Sequence, residues 1–324
     1  MSTTTFHEKE NIRVAEVPIE SIRRIAANTL LIAHRNKAAC IYKLSTDESE
    51  KSKIIKEYRI HRSLVSDVCY AERGNQILTV SRNVLTMIDK ETKEFKKFEG
   101  HTRDIVCVAV NNSNTKIVTG SQDGTFIVWN TQGKQVAKFS AAENGHTSWV
   151  NTVSFVPGSD ELVATGSEDG LVKIWDLSAN TCLKTFLGGQ FYDLNNAEEA
   201  RNLKGNNTEL AVKAVCFSND GSLMAYGGRN SRVYIVNLSV NQTMQGFDVP
   251  GRITAIASGE NQPLIAIAIP NKVLLWNIIE EKIVAEHTFS SKNEVYAYSM
   301  TFMGDELVLG LTTGELIRLD ISRS

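Results

Sequence analysis

The chain has 324 residues, of which 42% are apolar and 22% are charged, and its formal net charge is −2. This composition is typical of a globular protein with a hydrophobic core, and the five prolines argue against a long disordered linker. The N-terminus lacks the basic start and apolar core of a signal peptide, and no apolar run approaches the ~18 to 20 residues of a membrane helix. We therefore expect a cytosolic or nuclear protein without membrane insertion.

Strand ends recur along the chain at a regular spacing. Successive ends lie 40 to 46 residues apart, except for one interval of 61 residues. A period of about 40 to 45 residues with four short strands per unit is the pattern of WD40 β-propellers. The seven ends predict an all-β fold, a seven-bladed WD40 β-propeller, and they are Tyr42-Lys43, Ile88-Asp89, Trp129-Asn130, Trp175-Asp176, Val236-Asn237, Trp276-Asn277 and Leu319-Asp320.

Each unit repeats the same order of strands and turns. Blade 3 reads GHTRDIVCVAV, KIVTGSQDG and TFIVWN, and blade 4 reads GHTSWVNTVSF, ELVATGSEDG and LVKIWDL. The strands are β-branched and apolar, and Gly, Asn and Asp stand at the turns, as antiparallel strands of period two require.

Both ends of the chain are expected to contribute strands to blade 7. After Asp320 only ISRS remains, which is too short for a fourth strand in blade 7. A propeller leaves no sheet edge unpaired if it closes, so a strand within TTTFHEKENIRVAEV should complete blade 7. We therefore expect residues 1–324 to form a single domain.

The long interval contains an insertion between blades 4 and 5, at residues 188–208. Asn195 or Asn196 could cap a short helix through AEEARNL, and a disordered surface loop is the alternative.

A set of four polar and aromatic residues occurs in two blades, with the same spacing from Thr to Asp to Trp. A His, a hydroxyl and a carboxylate suggest a hydrolase triad, but a catalytic set occurs once, and this one recurs and ends on a Trp. The pattern is typical of the hydrogen-bonded structural tetrad of WD40 blades. The two predicted tetrads are His101, Thr119, Asp123 and Trp129, and His146, Thr165, Asp169 and Trp175.

Other signs of chemistry are weak. Blade 2 has Asn83 and Ile88 where Asp and Trp are expected, and blades 5 to 7 lack the His. The five cysteines form no C-x-x-C or His/Cys cluster, and Cys69, Cys107 and Cys216 are expected as small buried residues on matching strands. Nucleotide-binding and hydrolase motifs are absent from the sequence. We predict no catalytic residue, no metal site and no cofactor.

Basic residues cluster near the start of the chain and beside the His entries of blades 2 and 3. They are Arg35 and Lys37 in AHRNKAACIYKL, with Arg59, Arg62 and Arg103 further along the chain. Single surface cations are ordinary, but several on neighbouring loops of one face would suit phosphate contacts.

Six segments carry a family resemblance. The chain resembles the receptor for activated C kinase family, whose members are seven-bladed WD40 scaffold proteins of the small ribosomal subunit. The segments are RNKAACIYKLSTDE (35–48), LVSDVCY (64–70), the stretch that begins FEGHTRDIVCVAV (98–134), GHTSWVNTVSFVPGS (145–159), FSNDGSLMAYGGRNSRVYIVNL (217–238) and NKVLLWNIIEEKIVAE (271–286).

The resemblance implies a cytoplasmic, ribosome-associated scaffold that docks on ribosomal RNA and ribosomal proteins. Arg35 and Lys37 match the positions that contact ribosomal RNA in the family, and Arg59, Arg62 and Arg103 are expected to add to them. It also implies protein kinases, including protein kinase C, and translation factors as partners. Asn36 stands where the family has an acidic residue, and the loop HTFSSKNEV (287–295) looks shorter than the family's protrusion.

Two alternatives remain open. Another WD40 interaction subunit would bind proteins without the ribosome, and an enzyme would use the repeated His and Asp residues. Salt-sensitive RNA binding would favour the ribosomal scaffold over the first alternative.

Overall fold

The computed structural model describes residues 4–46, 50–192, 208–260, 262–291 and 293–323. This part of the chain contains 29 β-strands in seven antiparallel sheets, three 3-10 turns and no α-helix. The predicted seven-bladed β-propeller is therefore confirmed.

The first two blades and the N-terminal strand come from residues 4–99. Their strands are β1 (Thr4–Arg13), β2 (Ile19–Ala26), β3 (Thr29–His34), β4 (Ala38–Lys43), β5 (Lys53–Tyr58), β6 (Asp67–Ala71), β7 (Gln76–Ser81), β8 (Val84–Asp89) and β9 (Phe95–Glu99). Blade 1 contains β2 to β5, and blade 2 contains β6 to β9.

Blades 3 to 5 follow. Their strands are β10 (Ile105–Val110), β11 (Lys116–Ser121), β12 (Phe126–Asn130), β13 (Gln135–Phe139), β14 (Val150–Phe155), β15 (Leu162–Ser167), β16 (Leu171–Asp176), β17 (Thr181–Leu187), β18 (Gln190–Tyr192), β19 (Val212–Phe217), β20 (Leu223–Gly228), β21 (Arg232–Asn237) and β22 (Gln242–Asp248). Blade 4 has five strands because β18 pairs with β17.

The last two blades end the chain. Their strands are β23 (Ala255–Ser258), β24 (Leu264–Ile269), β25 (Lys272–Asn277), β26 (Lys282–Thr288), β27 (Ala297–Met303), β28 (Glu306–Leu311) and β29 (Glu315–Arg323). β1 is antiparallel to β29 and completes blade 7, with Phe6 opposite Ile321. The N-terminal strand predicted for blade 7 is confirmed.

Strand registers follow the sequence pattern of each blade. The first two strands of blades 1, 3, 4, 5 and 7 share a register shift near the start, which adds local twist. The Asp-Gly turns of blades 3 and 4 place Gly124 at φ +79° and Gly170 at φ +89°, a conformation that glycine adopts without a steric penalty.

The chain divides into two compact units. One comprises Met1–Tyr70 and Thr254–Ser324, and the other comprises Ala71–Ile253. In the first, a core of aliphatic and aromatic side chains lies between blades 6 and 7, including Leu275 and Phe302. In the second, the rings of Phe126 and Trp175 meet between blades 3 and 4, with centroids 5.0 Å apart. Apolar side chains on successive sheets thus form the core of each unit.

The insertion begins as a strand. The chain turns at Gly188 and Gly189 into β18, and the backbone N–H of Gly189 donates to the hydroxyl of Tyr226 in blade 5 at 2.8 Å. Phe191 contacts Phe186, so the start of the insertion belongs to the core of blades 4 and 5. The helix considered for AEEARNL lies outside the described residues.

Candidate functional site

The first-blade turn joins β3 to β4 through Arg35, Asn36 and Lys37. Arg35 and Lys37 are exposed, and the backbone N–H of Arg35 donates to the carbonyl of Pro18 at 3.1 Å. Lys37 has φ +74°, the left-handed conformation that ends a three-residue hairpin loop and that glycine adopts more easily. The turn therefore presents two cations on a backbone of fixed geometry.

A buried histidine supports this turn. The ring nitrogen Nδ1 of His34 is hydrogen-bonded to Oδ1 of Asn36. Burial lowers the pKa of His34, and the bond to Asn36 opposes that shift. Because Oδ1 of an amide only accepts, the neutral ring donates from Nδ1 and ties Asn36 to the base of the turn. Asn36 thus anchors the turn through its side-chain amide.

Two further cations lie in the same unit. Tyr58 is opposite Ala39 in the β4–β5 pairing, which brings the next residue, Arg59, alongside the end of the turn. Arg62 is exposed in the segment that leads to β6.

Carboxylates partly offset this positive charge. Arg35 forms an ion pair with Glu20, and Arg59 forms one with Glu57 at 2.9 Å. Burial raises the pKa of Glu20, although the contact with Arg35 opposes that shift. Among described residues none forms an ion pair with Lys37 or Arg62. Arg35, Lys37 and Arg59, with Glu20 and Glu57, form the blade-1 basic surface, and its net charge is +1.

Arg103 belongs to the other unit. It is exposed in the loop that leads to β10, and its carbonyl accepts from the hydroxyl of Ser121 at 3.2 Å. Its neighbour is Arg82, whose carbonyl accepts from the backbone N–H of Ile105 at 2.6 Å. Arg82 is exposed and has φ +51°. Sequence reasoning missed Arg82 because it considered only the cations beside the His entries, although the two-residue turn SRNV between apolar strands was a visible signal.

The four side chains of the blade 3 tetrad form one hydrogen-bonded chain. The indole Nε1 of Trp129 donates to Oγ1 of Thr119 at 2.9 Å, and Oγ1 lies 2.9 Å from Nε2 of His101. Nδ1 of His101 lies 3.1 Å from Oδ2 of Asp123. An indole can only donate, so the Thr119 proton is directed to Nε2 and the imidazole donates from Nδ1 to the carboxylate.

Blade 4 has the same chain of contacts. Trp175 donates to Oγ1 of Thr165 at 2.9 Å, Oγ1 lies 2.7 Å from Nε2 of His146, and Nδ1 lies 3.0 Å from Oδ2 of Asp169. Burial would raise the pKa of Asp169, but the His146 contact and two backbone N–H groups outweigh it and lower the value to about 2.

Neither tetrad histidine is open to a substrate. The side chains of His101 and His146 are both 0% exposed, and every polar atom of the two rings has a partner within the blade. In blade 2, the amide of Asn83 donates to the carbonyl of His101 at 3.4 Å. This geometry suits a link between a loop and a turn rather than a reaction centre.

The remaining features add little chemistry. None of the five cysteines, all of them within the described ranges, forms a disulfide. Of the three expected to be buried only Cys107 is fully so, since Cys69 and Cys216 keep some exposure on β6 and β19. In the described ranges no three His, Cys, Asp or Glu side chains come together as metal ligands. None of the helical turns described could span a membrane.

Comparisons with known proteins give two levels of similarity. Residues 92–130, 133–176 and 197–237 match the WD domain, G-beta repeat family. The chain is 35% identical over 316 residues to the guanine nucleotide-binding protein subunit beta-like protein of Encephalitozoon cuniculi (strain GB-M1), which covers 95% of each chain. It is also 27% identical over 154 residues to THO complex subunit 3 of Arabidopsis thaliana, which covers 47% of this chain and 42% of that protein. The first similarity extends over nearly the whole chain, and the second over about half of it.

Proposed function

Because the chain belongs to the family of guanine nucleotide-binding protein subunit beta-like proteins, of the receptor for activated C kinase type, we propose that it is a non-enzymatic scaffold. In this proposal it docks on the small ribosomal subunit through the blade-1 basic surface and recruits protein kinases and translation factors. It would then be cytoplasmic and ribosome-associated. The observation that carries the docking site is the pair of exposed cations, Arg35 and Lys37, on a turn held by His34 and Pro18.

The chemistry of this surface suits a phosphate backbone. Arg35 offers a planar fork of donors, and Lys37 offers a compact charge. Duplex RNA is recognised by its phosphates, its 2′-hydroxyls and its shape, so a fixed turn with two cations can dock without reading bases. Arg59 belongs to this surface, Arg62 extends it, and Arg103, with Arg82, is a separate proposed RNA contact of the other unit.

Two of the cations form ion pairs in the free protein, so docking would exchange one anionic partner for another. Phosphate oxygens would replace the carboxylates of Glu20 at Arg35 and of Glu57 at Arg59. Each phosphate contact releases counterions, so three to four contacts with a duplex predict a slope of about −3 to −4 for the logarithm of the binding constant against the logarithm of the salt concentration.

The tetrads have a structural role in this proposal, and the whole chain acts as a single domain that spans residues 1–324 and includes the 188–208 insertion. The imidazoles of His101 and His146 support this role, because both are buried and both ring nitrogens of each are hydrogen-bonded. A scaffold needs rigid blades, and a satisfied buried polar network provides rigidity.

Co-sedimentation with purified small ribosomal subunits tests the docking site. We expect the wild type to sediment and Arg35→Asp/Lys37→Glu to remain in the supernatant at about 100 mM salt, because charge reversal places carboxylates against phosphates. The matched control is Lys93→Glu/Lys96→Asp, which makes the same change in net charge on exposed residues of blade 2. All proteins should first show the same melting temperature.

Two other results would contradict parts of the proposal. If wild type and the blade-1 variant sediment alike, ribosome docking stands and the blade-1 site is wrong. If neither sediments even at low salt, the chain is a WD40 interaction subunit that acts away from the ribosome.

A further inference from the structure

One tryptophan of the chain is exposed while the others are buried. Trp149 is 41% exposed, in the loop that leads to β14, whereas Trp129, Trp175 and Trp276 are at most 9% exposed. Exposing a large indole leaves apolar surface in water that folding would otherwise bury. An exposed tryptophan on a structured loop is therefore a candidate contact for a partner.

The position of Trp149 is fixed by the backbone. Its carbonyl accepts from the backbone N–H of Glu168 at 2.9 Å, and the neighbouring carbonyl of Ser148 accepts from the hydroxyl of Ser167 at 3.3 Å. The indole is thus presented from a loop that is hydrogen-bonded to the turn after β15. Such preorganisation lowers the entropy that a partner must overcome on binding.

Two cations converge on Glu168, the residue whose backbone N–H donates to the carbonyl of Trp149. The carboxylate of Glu168 accepts from Lys213 at 2.6 Å and from the amide of Asn151 at 3.0 Å, and it also forms an ion pair with Arg229. Burial would raise the pKa of Glu168, but its hydrogen bonds and the two cations outweigh that effect and lower it. Glu168 therefore holds Lys213 and Arg229 in place. We call Trp149, Asn151, Glu168, Lys213 and Arg229 the Trp149 patch.

The patch keeps the capacity to bind an anion. Lys213 and Arg229 share one carboxylate, which leaves a net charge of +1, and their side chains are 35% and 50% exposed. In the described structure the guanidinium of Arg229 uses only Nη2 for hydrogen bonding, so its other donors remain for a ligand. A second carboxylate, placed between these two cations, would neutralise the remaining positive charge.

A protein partner fits this patch better than a nucleic acid. Interfaces between proteins are enriched in Trp and Arg, and such residues dominate the binding energy when they lie in the desolvated centre of the interface. A single-stranded nucleic acid needs a groove of unopposed cations along its backbone. Here a central carboxylate reduces the positive charge, and one anionic group is enough to balance the remainder.

We propose that the Trp149 patch binds a peptide segment of a partner protein, with an apolar side chain against the indole of Trp149 and a neighbouring carboxylate between Lys213 and Arg229. This deepens the scaffold function proposed above by naming a surface for protein recruitment. Its residues belong to blades 4 and 5, whereas the blade-1 basic surface belongs to the other unit. The two sites can therefore be tested separately.

The first test selects ligands for the full-length chain from a displayed library of short random peptides. The selection is repeated against Trp149→Ala and against Arg229→Glu, after their melting temperatures have been matched to the wild type. We expect enriched sequences with Asp or Glu next to a bulky apolar residue or proline, and we expect both variants to lose them.

The enriched peptide is then synthesised and titrated while tryptophan fluorescence is recorded. Since three of the four tryptophans are buried, the change in emission should come from Trp149 and should vanish in Trp149→Phe. We expect Trp149→Ala and Arg229→Glu each to weaken binding at least tenfold when measured by calorimetry. Lys213→Gln should weaken it less, because Arg229 still binds the carboxylate.

A control separates this site from the ribosomal one. Arg35→Asp/Lys37→Glu should bind the peptide as the wild type does, whether or not it has lost ribosome binding. The proposal is overturned if no enrichment depends on Trp149, or if the enriched peptides are basic. It is also overturned if a short oligouridine binds in a Trp149-dependent way and no peptide does.

Discussion

Blades 3 and 4 are held by different chemistry from blade 7. In blades 3 and 4 a chain of hydrogen bonds runs from Trp to Thr, His and Asp within a single blade, as in Trp175, Thr165, His146 and Asp169. Blade 7 lacks these residues and contains a buried arginine instead. Arg318 on β29 donates to Glu306 at 2.7 Å and to Glu10 at 2.9 Å.

The arginine joins segments from both ends of the chain. Glu10 is on the N-terminal strand β1, directly opposite Arg318, and the guanidinium also donates to the carbonyl of Ser45 at 3.0 Å. The hydroxyl of Ser52 donates to Glu10 at 3.2 Å. Blade 7, which is completed by a strand from the other end of the chain, is thus stabilised by ion pairs. Blades 3 and 4, each formed by one continuous segment, are stabilised by hydrogen bonds in which only the Asp is ionised.

The difference has an energetic consequence. Removal of a tetrad side chain breaks hydrogen bonds of neutral or singly ionised groups, whereas removal of Arg318 takes away the ion-pair partner of Glu10 and leaves Glu306 with Lys9 alone. A buried charge without a partner costs more than a lost hydrogen bond. We therefore expect blade 7 to be the more sensitive of the two to a single substitution.

The largest effect should follow Arg318→Ala. The Arg318 side chain is only 6% exposed, so its loss leaves a cavity, removes the ion-pair partner of Glu10 and leaves Glu306 with Lys9 alone, and we expect about 3 kcal/mol of destabilisation in urea unfolding at neutral pH. Arg318→Met, which fills the space without charge, should be equally destabilising unless Glu10→Gln and Glu306→Gln are added. If Arg318→Ala unfolds at the wild-type urea concentration, the network does not hold the blade.

A smaller and pH-dependent effect is expected for Asp169→Asn. The pKa of Asp169 is lowered from its ordinary value of 3.8 to about 2 in the fold, so its contribution to stability is complete above the unfolded value and is lost as pH falls toward 2. This shift corresponds to about 2 kcal/mol. The stability difference between wild type and Asp169→Asn should be constant at neutral pH and should shrink between about pH 4 and pH 2.

The control for this prediction is Asp176→Asn, because the Asp176 carboxylate lies in a surface turn, where it accepts from Ser178 and from the backbone N–H of Ala179. Its loss of stability should be smaller than that of Asp169→Asn. Equal losses would show that burial of the tetrad carboxylate contributes nothing beyond capping.

The smallest effect should be that of Lys9→Ala. Lys9 forms ion pairs with Glu306 and Asp320 at the edge of the blade 7 network, but its side chain is 42% exposed. Solvent screening reduces such pairs to about 0.5 kcal/mol or less. Thermal unfolding in low and high salt measures this term, and a loss as large as that of Arg318→Ala would mean that charge, rather than burial, decides the stability of blade 7.

The tetrads and the strand ends could be predicted because their spacing is local. Trp129 follows Thr119 and Asp123 on adjacent strands of one hairpin, so a fixed interval in sequence places the side chains together. The N-terminal strand was predictable for a different reason, since the last blade lacked a strand and an unpaired edge is unfavourable.

The fifth strand of blade 4 was not predictable in this way. Its three residues, Gln190–Tyr192, carry no alternating pattern long enough to distinguish a strand from a loop. The turn that starts it depends on Gly189, at φ +86°, where any side chain would collide with Tyr234 of the next blade. Only the contact between blades 4 and 5 makes this short strand form.

The sequence by itself determined the number of blades, their strand order and the residues of the two tetrads, because each is encoded by spacing within one repeat. It also supplied the basic turn of Arg35 and Lys37, but it did not indicate the burial of His34 beneath that turn, nor that Arg82 is the neighbour of Arg103. The pairing of Glu10 with Arg318 and the exposure of Trp149 were decided only by the tertiary structure. These depend on strand registers and loop positions between residues far apart in the chain, and no local pattern records which side chains then meet.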